Sequence, residues 1–319
     1  EKLRESHHII DDFLEYRELQ KLLSNYIDKI PHMIAKDGRL HTHFIQTGAA
    51  TGRMASQNPG LQNIPIRTER GRNIRNAFVA PKGSVLVALD YSQIELRIAA
   101  FLSEDEQLIQ IFKDGGDIHR AVAAEMFHVS PDEVDSEMRR RAKVINFGIL
   151  YGMGVNALKV QLEVDRKEAQ EYLNTYFETF MGLARYLEMT KAYAHKHGFT
   201  KTLFGRKRHF EAIHSSLPHL RAMAERMAIN APIQGTQADI IKIAMVKIDD
   251  YLKKEKLDRN VLMILQVHDE LVFEMKEKIA DKVTKQIAEI MEGIVSEKET
   301  KGVKLKVDAK KGRSWGEMN

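Results

Sequence analysis

The chain of 319 residues contains no cysteine, which excludes disulfide bonds, thiolate metal sites and cysteine nucleophiles. It also lacks any apolar run approaching the ~18 residues of a membrane-spanning helix, and no signal peptide opens it. The 49 basic and 45 acidic side chains nearly balance, so the net charge of +4 favours a polyanionic partner without establishing one. These features are compatible with a cytoplasmic protein.

Length and hydrophobic content bound the architecture. With 43% hydrophobic residues the chain can bury a large core, and its length suggests about two domain-sized units. It has no internal repeat and no low-complexity linker. The chain starts at Glu1 inside a helical pattern that runs from Leu3 to Ile30 and ends at Pro31, so we expect it to be a piece of a longer protein.

Two apolar runs end on carboxylates. Val85–Leu89 is a continuous apolar run, typical of a strand buried on both faces, and Asp90 follows it just before an apolar helical pattern. The run Val261–Val267 leads into Asp269 and Glu270, after which apolar residues resume. Strand, acidic turn and strand predict a hairpin with these carboxylates at or near its tip.

Charged groups that end apolar strands are costly unless they are paired or bound to a metal. Two carboxylates brought together repel each other, and Mg²⁺ prefers one or two carboxylates together with substrate phosphates. Taken singly, Asp90 could equally be a helix N-cap, and His268 with Asp269 could be an ordinary polar turn.

A helix predicted from about Ser136 to Tyr151 carries the second set of candidate groups. Arg139, Lys143, Phe147 and Tyr151 recur every four residues and therefore lie along one stripe. Two further arginines follow Arg139. So many cations near the start of a helix repel one another and interact unfavourably with the positive end of the helix dipole. An anionic partner such as a phosphate would relieve that cost, and aromatic faces suit a base or sugar. The alternative is a solvated basic face with core aromatics.

Three strings resemble motifs of family A DNA polymerases, the bacterial DNA polymerase I type. The string Asp90-Tyr-Ser-Gln-Ile-Glu-Leu-Arg97 resembles motif A, Arg139 to Gly152 resembles motif B, and Val267-His-Asp-Glu270 resembles motif C. Their order matches that of the family. Further matching strings extend the resemblance over nearly the whole chain: Thr51-Gly-Arg53, Leu61-Gln-Asn-Ile-Pro65 and Ala231-Pro-Ile-Gln-Gly-Thr236.

The resemblance implies an α+β fold with right-hand polymerase architecture. Residues 35–100 and 222–319 would form the palm with its antiparallel sheet, and residues 101–221 would form helical fingers inserted into it. Residues 1–34 would be the last helix of the thumb. Most of the thumb, and any exonuclease domain before it, would then lie outside this chain.

The resemblance also implies the reaction, which is template-directed DNA synthesis. A deoxynucleoside monophosphate would pass from a dNTP to a primer 3′ hydroxyl by a two-metal-ion mechanism. Asp90, Asp269 and the backbone of Tyr91 would hold two Mg²⁺ ions, for which Mn²⁺ could substitute, with Glu270 assisting. The expected protein is a monomer that binds primer–template DNA and dNTP but no membrane. A bacterial-type cytoplasmic location is implied, with an organellar or phage origin left open.

Individual positions carry over to the matching residues. The nucleotide would be bound by Arg139, Lys143, Phe147, Tyr151, His119, Glu95 and Gln93. Primer–template DNA would be bound by Arg53, Gln62, Asn63, Arg226, Asn230, Gln234 and His268. Within these sets His119 would meet the phosphates, whereas Glu95 would lie under the sugar and, with Tyr151, leave no room for a 2′ hydroxyl. On composition alone, the segment around Gln62 is more typical of turns.

Local patterns predict further elements. Residues 39–56 have the pattern of a hairpin, and the string Ser130-Pro-Asp-Glu133 supplies the cap of a helix that would begin there. The string Pro232-Ile-Gln-Gly235 predicts a break between two helices and would aim Gln234 outwards. Helix breaks are expected near Val164 and Gly182, and a last strand over Val303 to Val307.

Residues 199–210 predict a basic hairpin that turns at Gly205. Its cluster from Arg206 to Arg208 could bind a backbone phosphate or simply be exposed, and both interpretations stay open.

Two other function classes compete with a polymerase. A nuclease could use the same carboxylates on a phosphodiester, but it needs no triphosphate-binding helix. A fragment without its thumb could be a non-catalytic DNA-binding core. Nucleotide incorporation on a primed template with Mg²⁺ separates the three.

Overall fold

The computed structural model describes residues 7–66 and 68–318, so Leu3 of the first predicted helix lies outside the described residues. The strands are β1 (His43–Ile45), β2 (Ala55–Gln57), β3 (Ser84–Tyr91), β4 (Phe199–Lys201), β5 (Lys207–His209), β6 (Val261–Val267), β7 (Glu270–Lys276) and β8 (Val307–Gly312). The helices are α1 (Ile9–Leu22), α2 (Glu69–Arg75), α3 (Ile94–Ser103), α4 (Glu106–Lys113), α5 (Ile118–Phe127), α6 (Ser136–Leu150), α7 (Val155–Leu162), α8 (Arg166–Thr179), α9 (Met181–His197), α10 (Pro218–Lys254) and α11 (Glu277–Glu292). Helices and antiparallel strands occupy separate stretches, which confirms the α+β class.

Four strands form a central antiparallel sheet in the order β6-β7-β3-β8. Residues Val85 to Leu89 of β3 are at most 4% exposed, which confirms the strand predicted from the apolar run. In the ladder, Asp90 lies opposite Glu270 of β7 on one side and Asp308 of β8 on the other. Three strands therefore bring acidic residues to the same end of the sheet.

The side chains of β3 alternate between two cores. Val87 and Leu89 belong to a large core shared with residues of α3, α10 and α11. Leu86 and Ala88 belong to a smaller core on the opposite face, together with Trp315. Because both faces are covered, the end of β3 that carries the carboxylate is held by packing on two sides.

Four of the helices within residues 101–197 begin at aspartate caps, whereas α7 and α9 have no side-chain cap. Asp105, Asp117, Asp135 and Asp165 accept hydrogen bonds from first-turn backbone N–H groups of α4, α5, α6 and α8. The helix break expected near Val164 is confirmed, and the second break falls slightly earlier than predicted, between α8 and α9.

The helix expected to begin at Ser130 was a wrong prediction. The Ser130 capping box does form, but it opens only the short 3₁₀ turn Pro131–Glu133. Val134 is extended and buried, which takes the chain out of helical geometry. The long helix α6 begins at Ser136, after a second cap at Asp135.

The break predicted at Pro232 to Gly235 was also wrong, because α10 is continuous over 37 residues. An interior proline costs a helix about 3 kcal/mol. Here Ala231, Pro232, Ile233 and Gly235 are all buried, so tertiary packing on both sides of the proline outweighs that cost. Gln234, which was expected to point outwards, is half-buried.

The last strand lies further along the chain than predicted. Val303 and Leu305 are buried at 0% and 3%, but within the described residues they lie outside every strand, and β8 starts at Val307. Their apolar alternation reflects burial in the large core, whereas the ladder with β3 forms from a polar segment. That segment includes Lys310 and Lys311, which suit the exposed edge of a sheet.

All three predicted hairpins form: β6 and β7 flank the acidic turn, and the hairpin within residues 39–56 is shorter than expected. Strands β1 and β2 pair over three residues each, with the return strand starting at Ala55. Strands β4 and β5 pair around Gly205, whose φ of 81° is readily adopted by glycine. Helix α1 continues as a single π-helical turn, Leu23–Ile27, before Pro31. None of the helices within residues 7–66 and 68–318 is both long and apolar enough to cross a membrane.

Candidate active site

Sheet pairing brings the candidate carboxylates together. Asp90 lies near the end of β3, opposite Glu270, and Asp269 occupies the turn between β6 and β7. The backbone N–H of Tyr91 donates to the carbonyl of Asp269 over 3.2 Å, which ties the turn to β3. In the same turn His268 has a φ of 54°, a left-handed conformation that is uncommon for a residue other than glycine.

The carboxyl groups share a half-buried, negatively charged environment. Burial, followed by the charges of Asp269 and Glu270, raises the pKa of Asp90 to about 7. Burial is also the main cause that raises the pKa of Asp269 and of Glu270. The Arg75 guanidinium opposes the shift at Glu270. Asp308, which sequence reasoning missed, adds a further negative charge beside Asp90. Neighbouring carboxyl groups whose pKa values are all raised are typical of functional sites, and a bound cation would relieve their mutual repulsion.

The donor atoms fit a hard divalent cation. The Oδ1 atom of Asp90 and the Oε1 atom of Glu270 are buried and have no hydrogen-bond partner within residues 7–66 and 68–318, which is costly for carboxylate oxygens. Oxygen ligands of this kind suit Mg²⁺, which completes its coordination with water and substrate phosphates. Among the described residues there is no cluster of three or more His, Asp or Glu side chains arranged to hold a metal.

A cavity of about 590 Å³ opens beside the carboxylates. Asp90, Asp269 and Glu270 form part of its wall, while Lys21 of α1 and Asn63 line other parts. This volume lies within the range of about 300–1,000 Å³ that ligand pockets occupy.

Glu95, whose charge acts on Asp269, is the centre of a second network. It is 7% exposed and accepts hydrogen bonds from Arg53 Nη2 at 2.5 Å and from the Tyr151 hydroxyl at 2.7 Å. Arg53 also donates to Gln237 Oε1, from Nε at 3.0 Å and from Nη2 at 2.6 Å. Burial and then the nearby Glu95 raise the pKa of Tyr151 to about 12. Gln93 precedes α3 in a left-handed conformation with a φ of 54°. Sequence reasoning missed Gln237, because a neutral residue inside a helix carried no signal.

The stripe predicted on α6 is present. Arg139 Nε donates to Asp117 Oδ2 at 2.6 Å, and the Lys143 side chain is exposed. Phe147 is half-buried, and Tyr151 follows the last turn of the helix.

The two arginines after Arg139 already have anionic partners. Arg140 donates to both carboxylate oxygens of Glu137 at 2.6 Å, and Arg141 Nε donates to the same residue at 3.0 Å. Arg141 also lies 3.4 Å from Glu168. Protein carboxylates therefore relieve part of the cationic excess for which the sequence suggested an external anion.

His119 is buried, at 3% exposure, beside the stripe. The Tyr176 hydroxyl donates to Asn146 Oδ1 at 3.0 Å, so the Asn146 amide nitrogen is the donor in its 3.0 Å contact with His119 Nδ1. This arrangement assigns the ring proton to Nε2. Burial is the main cause that lowers the pKa of His119 to about 4, so the ring is neutral at pH 7. The ring lies 5.7 Å from that of Phe147.

The predicted DNA contacts on α10 share one face. Arg226, Asn230 and Gln234 recur every four residues; the first is exposed and the other two are half-buried. The loop after α6 packs directly against this face, because a Cβ added to Gly152 would lie 2.9 Å from Arg226 Cγ. The α6 stripe and the α10 face are therefore adjacent.

The remaining predicted DNA contacts are partly engaged within the protein. The Gln62 side-chain amide nitrogen donates to Gln266, to the backbone oxygen at 3.1 Å and to Oε1 at 2.9 Å. Gln266 in turn donates to the carbonyl of His268 at 2.7 Å, and the Asn63 carbonyl accepts from the Tyr26 hydroxyl at 2.6 Å. The residue His268 itself is exposed.

Arg206 of the basic hairpin holds protein elements together. Its Nε donates to Asp239 at 2.7 Å, and its Nη2 donates to the carbonyls of Thr51 at 2.6 Å and Gly235 at 2.9 Å. Lys207 is exposed. The first residue of the cluster is thus committed to structure, and the open choice between phosphate binding and exposure concerns the others.

The family model for DNA polymerase family A matches residues 1–317. The chain belongs to DNA polymerase family A. It is 49% identical over 307 residues to DNA polymerase I of Pseudomonas aeruginosa, which covers 96% of this chain and 33% of that protein. It is 46% identical over 316 residues to the thermostable DNA polymerase I of Thermus aquaticus, which covers 99% and 37%. This family A chain therefore spans about a third of the length of these relatives.

A solved structure extends the likeness to three dimensions. The POL domain of Pol1 from M. smegmatis, in complex with DNA primer-template and dNTP, matches with a TM-score of 0.92 and 42% sequence identity. The match covers 98% of this chain and 54% of that chain. It confirms the polymerase architecture that the sequence motifs predicted.

Two of the three family A motifs meet at the carboxylates, and motif B approaches them through Glu95. Motif A supplies Asp90, and motif C supplies Asp269 and Glu270. Motif B reaches this group at its last residues, where Tyr151 donates to Glu95 of motif A.

Proposed function

We propose that this chain is the polymerase core of a DNA polymerase I-type enzyme, which extends a primer by template-directed transfer of deoxynucleoside monophosphate from dNTP. The observation that carries the proposal is the group of half-buried carboxylates, of which Asp90 and Glu270 each have a buried oxygen with no hydrogen-bond partner among the described residues, beside a cavity of about 590 Å³ and next to motif B. The proposed partners are primer–template DNA and dNTP, and the proposed state is a monomer.

Asp90, Asp269 and the backbone carbonyl of Tyr91 would hold the two Mg²⁺ ions, with Glu270 assisting. Bound there, the ions would neutralise charge on the attacking 3′ oxygen and on the triphosphate in an in-line displacement. The packed end of β3 holds Asp90, and its pairing with β7 and with the acidic turn holds Glu270 and Asp269 beside it, which is what a reaction governed by positioning requires from the protein.

The triphosphate would be bound by the first half of the α6 stripe. Lys143 is exposed and supplies a point charge, while Arg139 would exchange its present partner Asp117 for phosphate oxygens. His119 would donate from Nε2, because Asn146 occupies its Nδ1 atom. As a neutral donor its contribution would not depend on pH near 7.

The sugar and base would lie between motif A and motif B. Glu95, held by Arg53 and Tyr151, would stand beneath the sugar and exclude a 2′ oxygen, and Phe147 would face the nucleotide from α6. Gln93 would contact the nucleotide from the start of α3. The duplex would be contacted from both sides of this group by Arg53, Gln62, Asn63, Arg226, Asn230, Gln234 and His268.

We assign residues 35–100 and 222–319 to the palm, 101–221 to the fingers and 1–34 to the end of the thumb. The central sheet lies in the first two ranges, and α4 to α9 lie in the third. Helix α1 forms part of the wall of the cavity beside the carboxylates. This position is in keeping with a thumb helix that would contact DNA bound at the carboxylates.

Incubation with a primed template, one complementary dNTP and Mg²⁺ tests the proposal. Extension of the primer by one nucleotide supports it. Shortening of the primer without extension would instead indicate a nuclease. Tight binding of primed DNA without either reaction would indicate a DNA-binding core.

A further inference from the structure

Gln237 occupies the middle of α10, on the side that faces the β6–β7 turn. Its side chain is buried, with 1% of the residue exposed, and the sequence motifs give it no role. Polar side chains buried to this extent normally have all their hydrogen-bonding groups satisfied. Both ends of the Gln237 amide meet groups that belong to the candidate active site.

The oxygen end binds Arg53. Gln237 Oε1 accepts from Arg53 Nε at 3.0 Å and from Nη2 at 2.6 Å, so two N–H groups on one edge of the guanidinium converge on one acceptor. The same Nη2 atom donates to Glu95 Oε1 at 2.5 Å. Gln237 therefore fixes the plane of the guanidinium that restrains the carboxylate.

The nitrogen end reaches the turn that carries Asp269. Gln237 Nε2 donates to the carbonyl of His268 at 3.4 Å, and Gln266 Nε2 donates to the same carbonyl at 2.7 Å. A guanidinium on one side and a carbonyl on the other define which end of the amide is oxygen and which is nitrogen. Gln237 thus spans from Arg53 to the backbone of the acidic turn.

We infer that Gln237 is a positioning residue that holds Arg53 against Glu95, and that it thereby sets how strictly the site excludes a ribonucleotide. The inference rests on the proposed polymerase function. Glu95 can exclude a 2′ oxygen only while its carboxylate is held in place, and among the described residues it is Arg53 and Tyr151 that donate hydrogen bonds to it. Arg53 is in turn held in place by its hydrogen bonds to Gln237 Oε1, so loss of that acceptor would free the guanidinium to move away from Glu95.

A neutral amide is the suitable residue type at this position. A carboxylate at 237 would compete with Glu95 for Arg53 and would bring more negative charge towards Asp269, whose pKa is already raised. An apolar residue would fill the space but accept nothing from Arg53. A glutamine accepts from the cation and donates to the carbonyl without adding charge.

The test is the ratio of kcat/KM for dCTP to kcat/KM for CTP, measured with the chain as it stands on a primed template. For Gln237→Met, which keeps the side-chain length but removes both polar ends, we expect the ratio to fall at least about tenfold, or ~1.4 kcal/mol of discrimination. Gln237→Asn, which is too short to bridge both partners, should lower the ratio as well. It serves as the second variant if the first does not fold.

Thr236→Val is the matched control. Thr236 is fully buried in the same helix, but its hydroxyl accepts from the backbone N–H of Leu203, away from Glu95. Thr236→Val should therefore leave the dCTP to CTP ratio unchanged, whereas Gln237→Met should lower it. If Gln237→Met only loosened α10, the rates with dCTP and CTP would fall alike and its ratio would stay unchanged, which would contradict the inference.

The Glu95→Ala background tests the route of the effect. If Gln237 acts through Arg53 on Glu95, Gln237→Met should change the ratio by less than about twofold once Glu95 is absent. An equal effect in both backgrounds would contradict the inference. Failure of the unmodified chain to extend a primer would contradict the proposed function, whereas normal extension with an unchanged ratio in Gln237→Met would contradict the role of Gln237 alone.

Discussion

Asp90 and Glu270 are directly opposite partners in the ladder between β3 and β7, and each carries a buried oxygen that finds no hydrogen-bond partner in the described part of the chain. Like charges in opposite positions of neighbouring strands destabilise a sheet. The arrangement is therefore costly in the absence of a cation, and the raised pKa values of both carboxyl groups reflect that cost. Binding of a cation between these carboxylates would relieve the repulsion and stabilise the folded state.

The first prediction concerns the pH dependence of stability without metal. The pKa of Asp90 is about 7 in the folded state, above the ordinary aspartate value. Between about pH 4 and 7 the folded state therefore binds more protons than the unfolded state does. The free energy of unfolding should therefore fall as the pH rises through this window. Asp90→Asn should flatten the dependence and gain about 1–2 kcal/mol at pH 8, less than full linkage because solvent screens the group.

Thermal unfolding in a chelator at several pH values checks this prediction. Asp250→Asn, on an exposed position of α10, is the control and should leave the pH profile unchanged. Mg²⁺ should raise the melting temperature of the parent more than that of Asp90→Asn, because binding to the native state stabilises it. Parallel pH profiles for the parent and Asp90→Asn would rule out the assigned environment of Asp90.

The second prediction is that Glu95→Ala admits ribonucleotides far better than the parent. The substitution removes the carboxylate beneath the sugar together with the acceptor shared by Arg53 and Tyr151. The dCTP to CTP efficiency ratio should fall by at least about a hundredfold, or ~2.7 kcal/mol. Tyr151→Phe removes one hydrogen bond and keeps the carboxylate, so its effect should be smaller. An unchanged ratio in Glu95→Ala would mean that Glu95 does not exclude the 2′ oxygen.

The third prediction is that Phe147 makes the protein reject dideoxynucleotides. A tyrosine hydroxyl at this position could take over the interaction of the 3′ hydroxyl that a dideoxynucleotide lacks. One hydrogen bond to a charged group is worth about 1.5–3 kcal/mol, so Phe147→Tyr should improve dideoxynucleotide use at least about tenfold. Ordinary incorporation and stability should barely change, since Phe147 is half-buried and the change adds one oxygen. Chain-termination assays at matched activity decide it, and equal discrimination would remove Phe147 from the nucleotide site.

The fourth prediction concerns the contact between α10 and the basic hairpin. A Cβ on Gly235 would lie 2.5 Å from Thr202 Cγ2 and 2.9 Å from Arg206 Nη2. Gly235→Ala should therefore destabilise the fold by about 1–3 kcal/mol through overpacking, although alanine is the better helix former. Gly116→Ala is the control, because the nearest atom to its Cβ would be 3.7 Å away. Chemical denaturation measures both, and a stabilised Gly235→Ala would contradict the close packing.

Sequence patterns predicted those parts of the site in which charged residues follow or lie within a regular apolar or helical pattern. The uninterrupted apolar run before Asp90 predicted a buried strand, and the four-residue spacing from Arg139 to Tyr151 predicted a stripe along α6. The predictions failed where local chemistry was overruled by packing. Pro232 should end a helix, but the buried residues around it keep α10 continuous.

Partners far apart in the sequence were beyond the reach of local patterns. Nothing near Gln237 indicates that it meets Arg53, because the two residues come together only when α10 packs beside the β1–β2 segment. Likewise Arg206 has the local setting of a phosphate-binding residue, yet Asp239 and two carbonyls already satisfy it. Identity and spacing predict the candidates, whereas tertiary contacts decide which of them are free for a substrate.

The most direct test of the central claim is single-nucleotide extension of a primed template with Mg²⁺, comparing the chain with its Asp269→Asn variant. The parent should add the complementary nucleotide. Asp269→Asn should fold and bind primed DNA but retain less than about a hundredth of the rate, or roughly 2.7 kcal/mol of lost barrier stabilisation. Extension by Asp269→Asn at the parental rate would contradict the assignment of the carboxylates as the catalytic centre.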